Sequence, residues 1–196
     1  MKNLAVSLGM SEPRVHVLRL GHRYVRDKRV TTHLLLAARV FGAHKVLYTG
    51  QRDGELEKSI QKINETWGGS FKVEHTENWE RIIENWKRNE GEIIHLTMYG
   101  LPIQDVIHSV RESQRDKLIV VGGAKVPRVV FKMADWNISV TSQPHSEISA
   151  LCIFLHELFE GKELSKTFEN AKIRIIPQAD GKKIELTGTL GFTSVS

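Results

Sequence analysis

The stretch EIIHLTMYGLPIQDVIHSVRESQRDKLIVVGGAKVPRVVFKMADWNISVTSQPHSEISALCIFLHEL, residues 92–158, decides the fold class. It opens on the apolar run EIIHLTM, passes into PIQDVIHSVRESQ with apolar residues at helical spacing, and returns to KLIVVGG, which ends in paired glycines. A short β-branched run, a helical pattern and a second β-branched run predict parallel strands joined by a crossover helix. WNISVT supplies a further strand. After six polar or turn-forming residues, Ser142 to Glu147, the chain turns almost wholly apolar to Leu158.

The same alternation runs upstream through HVLRL, TTHLLLAARVFGA, KVLYTG, DGELEKSIQKINETW, FKVEHT and NWERIIENWKRN. Repeated strand then helix predicts an α/β fold, a parallel sheet with helices on both faces. Asp53 and Asn78 suit N-caps, and Pro102 suits a first helical turn. Gly42, Gly68, Gly69 and Gly161 follow helical runs, where a left-handed cap is useful. Thr31, Thr32 and His33 are expected to open an amphipathic helix. The closing helix is expected from about Pro144 to Gly161, with Ser142, Gln143 and Ser146 satisfying its first N–H groups and Glu147 at the positive end of its dipole. A helix apolar nearly all round must be buried against its own chain or a subunit. KIRIIPQADGKKIELTG alternates on either side of Asp180-Gly181, a β-hairpin signal. The expected organisation is therefore an N-terminal tail (1–13), one α/β domain (14–161) and a hairpin extension (162–196).

A chain of 196 residues, 40% hydrophobic and 26% charged, is long enough for one substantial core. No apolar window is long enough for a membrane span and no secretory signal is evident, so a cytoplasmic protein is expected. Cys152 is the single cysteine, which excludes an intramolecular disulfide. No histidine spacing matches a metal motif, and no metal is expected. The net charge is only +5, yet Arg14, Arg19, Arg23, Arg26, Lys28 and Arg29 face Asp27 alone. A solvated face is the ordinary meaning of such a run; a phosphate-rich partner is the sharper one.

Neither GxGxxG after the first strand nor GxxxxGK[ST] is present, which disfavours a conventional dinucleotide or NTP enzyme. Open α/β sheets bind ligands beyond the carboxyl ends of their strands, and three segments are expected to form loops there: HLTMYGLP, GGAKVP and TSQPHSE. His145, Ser146 and Glu147 do not make a hydrolase triad, because adjacent helical positions do not face one another. Asp27, Arg29 and His33 are candidates to address a phosphate or hydroxyl. Trp67, Trp79 and Trp86 read as packing or surface residues.

RLGHRYVRDKRVTTHLLLAARVFGA, HLTMYG, VVGGAKVP and ADWNISVTSQPHSEISALCIFLHEL, in that order, resemble the archaeal tRNA (cytidine-2'-O)-methyltransferases that modify cytidine 56 of the T-loop, members of the SPOUT superfamily. The resemblance runs from about Val15 to Gly161 and implies a C-terminal trefoil knot, S-adenosyl-methionine as cofactor, tRNA as substrate and a homodimer. It places the cofactor among Leu96, Gly122, Gly123, Ala124, Lys125 and Val126, and along Ile138, Val140, Ser142, Gln143, Pro144, His145, Ser146, Glu147 and Ile148. Related guanosine methyltransferases carry a helix arginine just before a Phe-Gly pair; aligned on Phe41-Gly42, that place here is Leu36. The catalytic arginine must come from elsewhere, with Arg29 the first choice and Arg23 and His33 next. Arg19, Arg23, Arg26, Lys28 and Arg29 are the expected RNA contacts. A catalytically silent RNA-binding dimer of the same fold is the rival reading, and a flavodoxin-like binder of another nucleotide is a third.

Overall fold

The computed structural model describes residues 12–123 and 126–187. Six strands, β1 (Val15–His22), β2 (Lys45–Gly50), β3 (Lys72–His75), β4 (Glu92–Pro102), β5 (Lys117–Gly122) and β6 (Trp136–Ser139), form one sheet in the order β3-β2-β1-β5-β4-β6. Every neighbouring pair is parallel. Six helices connect or follow them: α1 (Tyr24–Val40), α2 (Gly54–Trp67), α3 (Trp79–Arg88), α4 (Ile103–Glu112), α5 (Arg128–Met133) and α6 (Glu147–Phe159).

Period-two alternation divides the apolar residues between the two faces of the sheet. Val15, Val17, Val46, Ile94, Ile119 and Val121 pack with α1, α2, α4 and α6. Leu18, Leu20, Leu47, Leu118 and Val120 pack with Ile83 of α3 and Val130 of α5. The expected α/β sheet with helices on both faces is what forms. The hairpin follows as β7 (Ile173–Ile176) and β8 (Lys183–Leu186), antiparallel, with Gly181 at φ 89° in the connection.

Asp53 accepts from the Glu55 amide and Asn78 from the Arg81 amide, as the capping rule predicts. Two helix starts differ from expectation. α1 begins at Tyr24, seven residues before Thr31, because the Asp27 carboxylate accepts the Arg23 backbone N–H (3.1 Å) and its Nε (2.8 Å), closing the first turn. α6 begins at Glu147, with Ser146 as N-cap accepting from the Ser149 amide; Pro144 precedes the helix.

HLTMYGLP is not a loop. β4 continues to Pro102 with a bulge, Leu96 and Leu101 both opposing Ile138 of β6. A Cβ on Gly100 would lie 2.5 Å from the Asn137 carbonyl carbon, so only glycine permits this close passage. β4 thus lies between β5 and β6, the two strands that follow it. α6 packs on α1 and α4, and Arg111 of α4 donates to the Glu157 carbonyl (2.7 Å) in its last turn. The burial expected all round α6 is incomplete: Ile153 is 46% exposed.

Candidate active site

The carboxyl ends of β1, β4, β5 and β6 converge on one edge of the sheet, and the expected cofactor segments leave from it. Leu96 and Ile138 are buried there as register partners, while Val140 and Ile148 are half-buried. Gly122 packs tightly: a Cβ would meet Val126 Cγ2 at 2.6 Å and Leu20 Cβ at 3.4 Å. Gly123 is the opposite case: among the described residues nothing beyond its chain neighbours lies within 4 Å of where its Cβ would stand. Ser142, Gln143, Pro144, His145 and Ser146 form an exposed rim ending in the N-cap of α6. Ala124 and Lys125 lie outside the described residues.

Arg19 corrects an expectation. Read with the basic run as an RNA contact, it is instead 2% exposed, on the β1 face shared with Val15 and Val17, opposite Val121 of β5. Its Nη2 donates to Glu147 Oε1 at 2.8 Å, so the strand holds the first residue of α6. Glu147 thus joins the helix dipole to a buried cation. Among the described residues, Arg19 Nε and Nη1, Glu147 Oε2 and Ser139 Oγ are buried without a hydrogen-bond partner, as are single atoms of His22, Asp53, Glu92 and Glu163. Unpaired polar atoms cost about 1–3 kcal/mol each. The unpaired atoms of Arg19 and Glu147, brought together by their ion pair at the carboxyl end of β1, fit a polar ligand with hydrogen-bonding groups of both kinds.

The end of β1 also anchors α1. His22 Nδ1 lies 2.8 Å from Thr31 Oγ1, in the middle of α1 rather than at its start, and His22 Nε2 is 3.8 Å from Asp53 Oδ2. Burial pushes the His22 imidazole below its ordinary value, Arg19 adding to the effect against Asp53 and Asp27. Asp27 is not free for a substrate hydroxyl, since Arg23 clamps both its oxygens (2.8 and 3.2 Å). Hydrogen bonding to Arg23 holds this carboxyl below the usual range, against burial.

The remaining basic residues stand on the outer side of α1. Lys28 pairs with Glu55, whereas Arg26 and Arg29 are exposed and make no ion pair among the described residues. Val25 is 94% exposed beside the half-exposed Tyr24. With α1 beginning at Tyr24, Arg29 lies seven positions before Leu36 and therefore on nearly the same helical face. His33 is exposed one turn further on. Sequence reasoning missed the Arg23–Asp27 clamp, the Gly100 passage and the unpaired Ser139 hydroxyl.

Among the described residues no group of three or more His, Cys, Asp or Glu is placed to hold a metal ion, and no helix is long and apolar enough to cross a membrane. Trp86 Nε1 donates to the Asp116 carbonyl and packs on His16, a packing role as expected.

Comparison with known proteins places this arrangement. A structure described as a TrmH/SpoU tRNA modifying enzyme of A. aeolicus superposes with a TM-score of 0.59 at 13% identity, covering 80% of this chain and 79% of that one. The SpoU methyltransferase AviRb of Streptomyces viridochromogenes, solved with AdoMet, gives a TM-score of 0.55 at 14% identity over 76% of this chain and 58% of that one. These likenesses show the SPOUT fold. A tRNA (cytidine(56)-2'-O)-methyltransferase of Methanothermobacter thermautotrophicus is 51% identical over 170 residues, 87% of this chain and 95% of the relative. The family model described as tRNA ribose 2'-O-methyltransferase, aTrm56, matches residues 67–185, and the chain belongs to that family.

Proposed function

We propose that this protein transfers a methyl group from S-adenosyl-methionine to the ribose 2'-OH of cytidine 56 in the T-loop of tRNA. The observation that carries the reading is the buried Arg19–Glu147 pair, whose unpaired atoms stand at the end of β1 where α6 begins. Leu96, Ile138, Val140 and Ile148 supply apolar flanks for an adenine ring, and the 142–147 segment supplies polar contacts. When bound, the cofactor supplies an electrophilic methyl group on a cationic sulfur. The chain's part is to orient the ribose hydroxyl and favour its anionic form.

Arg29 is the first choice for that electrostatic role, followed by Arg23 and His33. Arg29 is exposed and uncommitted, whereas Arg23 must share its guanidinium with Asp27. Arg26, Lys28 and the exposed Val25 and Tyr24 present cations interleaved with apolar groups, a surface suited to RNA backbone and unstacked bases. We further read the chain as a cytoplasmic, metal-independent homodimer whose C-terminal part is trefoil-knotted. Support comes from the placing of β4 between the two strands that follow it and from the exposed Ile153 on α6.

Incubation with labelled S-adenosyl-methionine and unmodified tRNA, followed by nucleoside mapping, tests the activity; absence of 2'-O-methylcytidine at position 56 would refute it. Calorimetric titration with the cofactor separates an enzyme from a silent RNA-binding scaffold, which need not retain the pocket.

A further inference from the structure

The proposed active site uses the carboxyl ends of the strands, but a second concentration of cations lies at their amino ends. Arg14 and His16 at the start of β1, Lys45 at the start of β2 and Lys72 at the start of β3 border a cleft of about 590 Å³. The segment after a short 3-10 turn (Lys162–Ser165) closes the cleft with Lys166, Thr167 and Phe168. Residues spread from Arg14 to Lys72 are brought together by the parallel alignment of three strands.

The floor of the cleft is built on Arg39. Arg39, 5% exposed, donates to the Gly68 carbonyl (2.6 Å) and Asn64 Oδ1 (3.2 Å), and its guanidinium lies 4.2 Å from the centre of the Phe168 ring. Gly69 makes room for that ring, since a Cβ there would stand 2.8 Å from Phe168 Cδ1. On the rim, Arg14 pairs with Asp116 and Lys45 with Glu74. Lys72 and Lys166 are exposed and make no ion pair among the described residues. Glu169 is the one acid among the residues lining the cleft. Burial first, and then the charges of Lys45, His44 and Arg14, draw His16 down to about 4, against the opposing charge of Asp116.

The cations are spread along an open rim rather than aimed at one point, and Phe168 is covered by Arg39 and not free to stack on a base. That arrangement suits a chain of phosphates better than a compact nucleotide. β1 is eight residues long, so the two ends of the sheet are separated by about 26 Å, or roughly eight phosphate spacings along one nucleic acid strand. A nucleic acid contacting both ends of the sheet must therefore span about that distance.

We propose that this cleft is a second tRNA contact, taking backbone phosphates remote from the reacting ribose. The proposal rests on the tRNA-modifying reading above, and its test is a binding measurement that requires no turnover. The Lys72→Glu, Lys166→Glu double variant of the full chain is compared with wild type for binding to unmodified tRNA and to an isolated T-arm hairpin across a salt series. The expected result is roughly tenfold weaker binding to whole tRNA and a shallower salt dependence. Hairpin binding, cofactor affinity and turnover at saturating tRNA are expected to match wild type. Unchanged affinity and salt slope for whole tRNA overturn the proposal, as does equal loss for the hairpin, which would mean a general field effect. Saturable pyrophosphate binding at the cleft that whole tRNA does not displace would assign it to a free phosphate ligand instead. Failure of the wild-type protein to methylate tRNA refutes the proposed function, while the binding comparison still decides the cleft.

Discussion

Arg19 Nη2 lies 2.8 Å from Glu147 Oε1, a contact between residues 128 positions apart that ties the central sheet to the first residue of α6. The two side chains are 2% and 10% exposed. In such surroundings a lone charge is far more costly than a matched pair or a pair of apolar substitutes. Glu147→Ala is therefore expected to lower stability by about 3–5 kcal/mol, read by urea denaturation. The Arg19→Met, Glu147→Leu double variant should recover most of that loss without recovering cofactor affinity. Recovery of both by the double variant would reduce the pair to a structural element.

The glycines at the strand ends separate packing from binding. At Gly100, a Cβ would press on the Asn137 backbone at 2.5 Å, and Gly100→Ala is expected to destabilise the protein by about 1–3 kcal/mol through displacement of β4 from β6. At Gly123 the same substitution meets none of the described residues within 4 Å, so Gly123→Ala should fold normally. Its cost is expected to appear in calorimetry as weaker S-adenosyl-methionine binding. Normal cofactor affinity in Gly123→Ala would exclude this loop from the pocket.

His16 sets a pH dependence of stability. Its imidazole is drawn down to about 4 in the folded chain, against an unfolded value near 6.5. Between these values the unfolded chain binds more protons, so stability falls as the pH drops from 6.5 towards 4 and is level above that window. One histidine contributes a slope of at most ~1.4 kcal/mol per pH unit. Burial also lowers His22 and His95, which add to the loss of stability as the pH falls below the ordinary histidine value. His16→Gln should thus flatten, without abolishing, the decline of urea-derived stability between pH 6.5 and 4. The carboxyls of Asp27 and Asp116, held low by arginine partners, act below it.

Much of the fold was legible because its signals are local. Asp53, Asn78 and Gly161 do what their residue types predict at helix ends, and the alternation in KIRIIPQADGKKIELTG forms the hairpin it implies. The cofactor segments were legible only through family likeness, since Arg19 and Glu147, whose unpaired atoms mark the proposed site, are 128 positions apart. Arg19 was misread because a charge run averages over neighbours, although strand periodicity put it on the face of Val15 and Val17. The continuation of β4 depends on the Asn137 backbone lying against Gly100, a contact 37 positions away that no local pattern carries. α1 began early because Asp27 folds back on Arg23, a reciprocal contact hidden within what looked like a solvated basic stretch.

Arg29 and Arg23 make a discriminating pair for catalysis. Both leave the same end of the sheet on α1, but Arg23 is held by Asp27, which raises its basicity and fixes its fork, while Arg29 is exposed and uncommitted. A group that stabilises charge developing on the ribose oxygen acts in the transition state and not on the bound cofactor, so its removal should lower turnover without loosening S-adenosyl-methionine. Arg29→Ala is accordingly expected to reduce single-turnover methylation by about 10²–10³-fold with cofactor affinity unchanged. Arg29→Lys should retain part of the rate, because it keeps the charge and loses the planar fork. Arg23→Ala should instead weaken tRNA binding and fray the start of α1, visible as faster amide exchange in its first turn. If Arg29→Ala loses cofactor affinity while the bound fraction turns over normally, the role passes to Arg23 or His33.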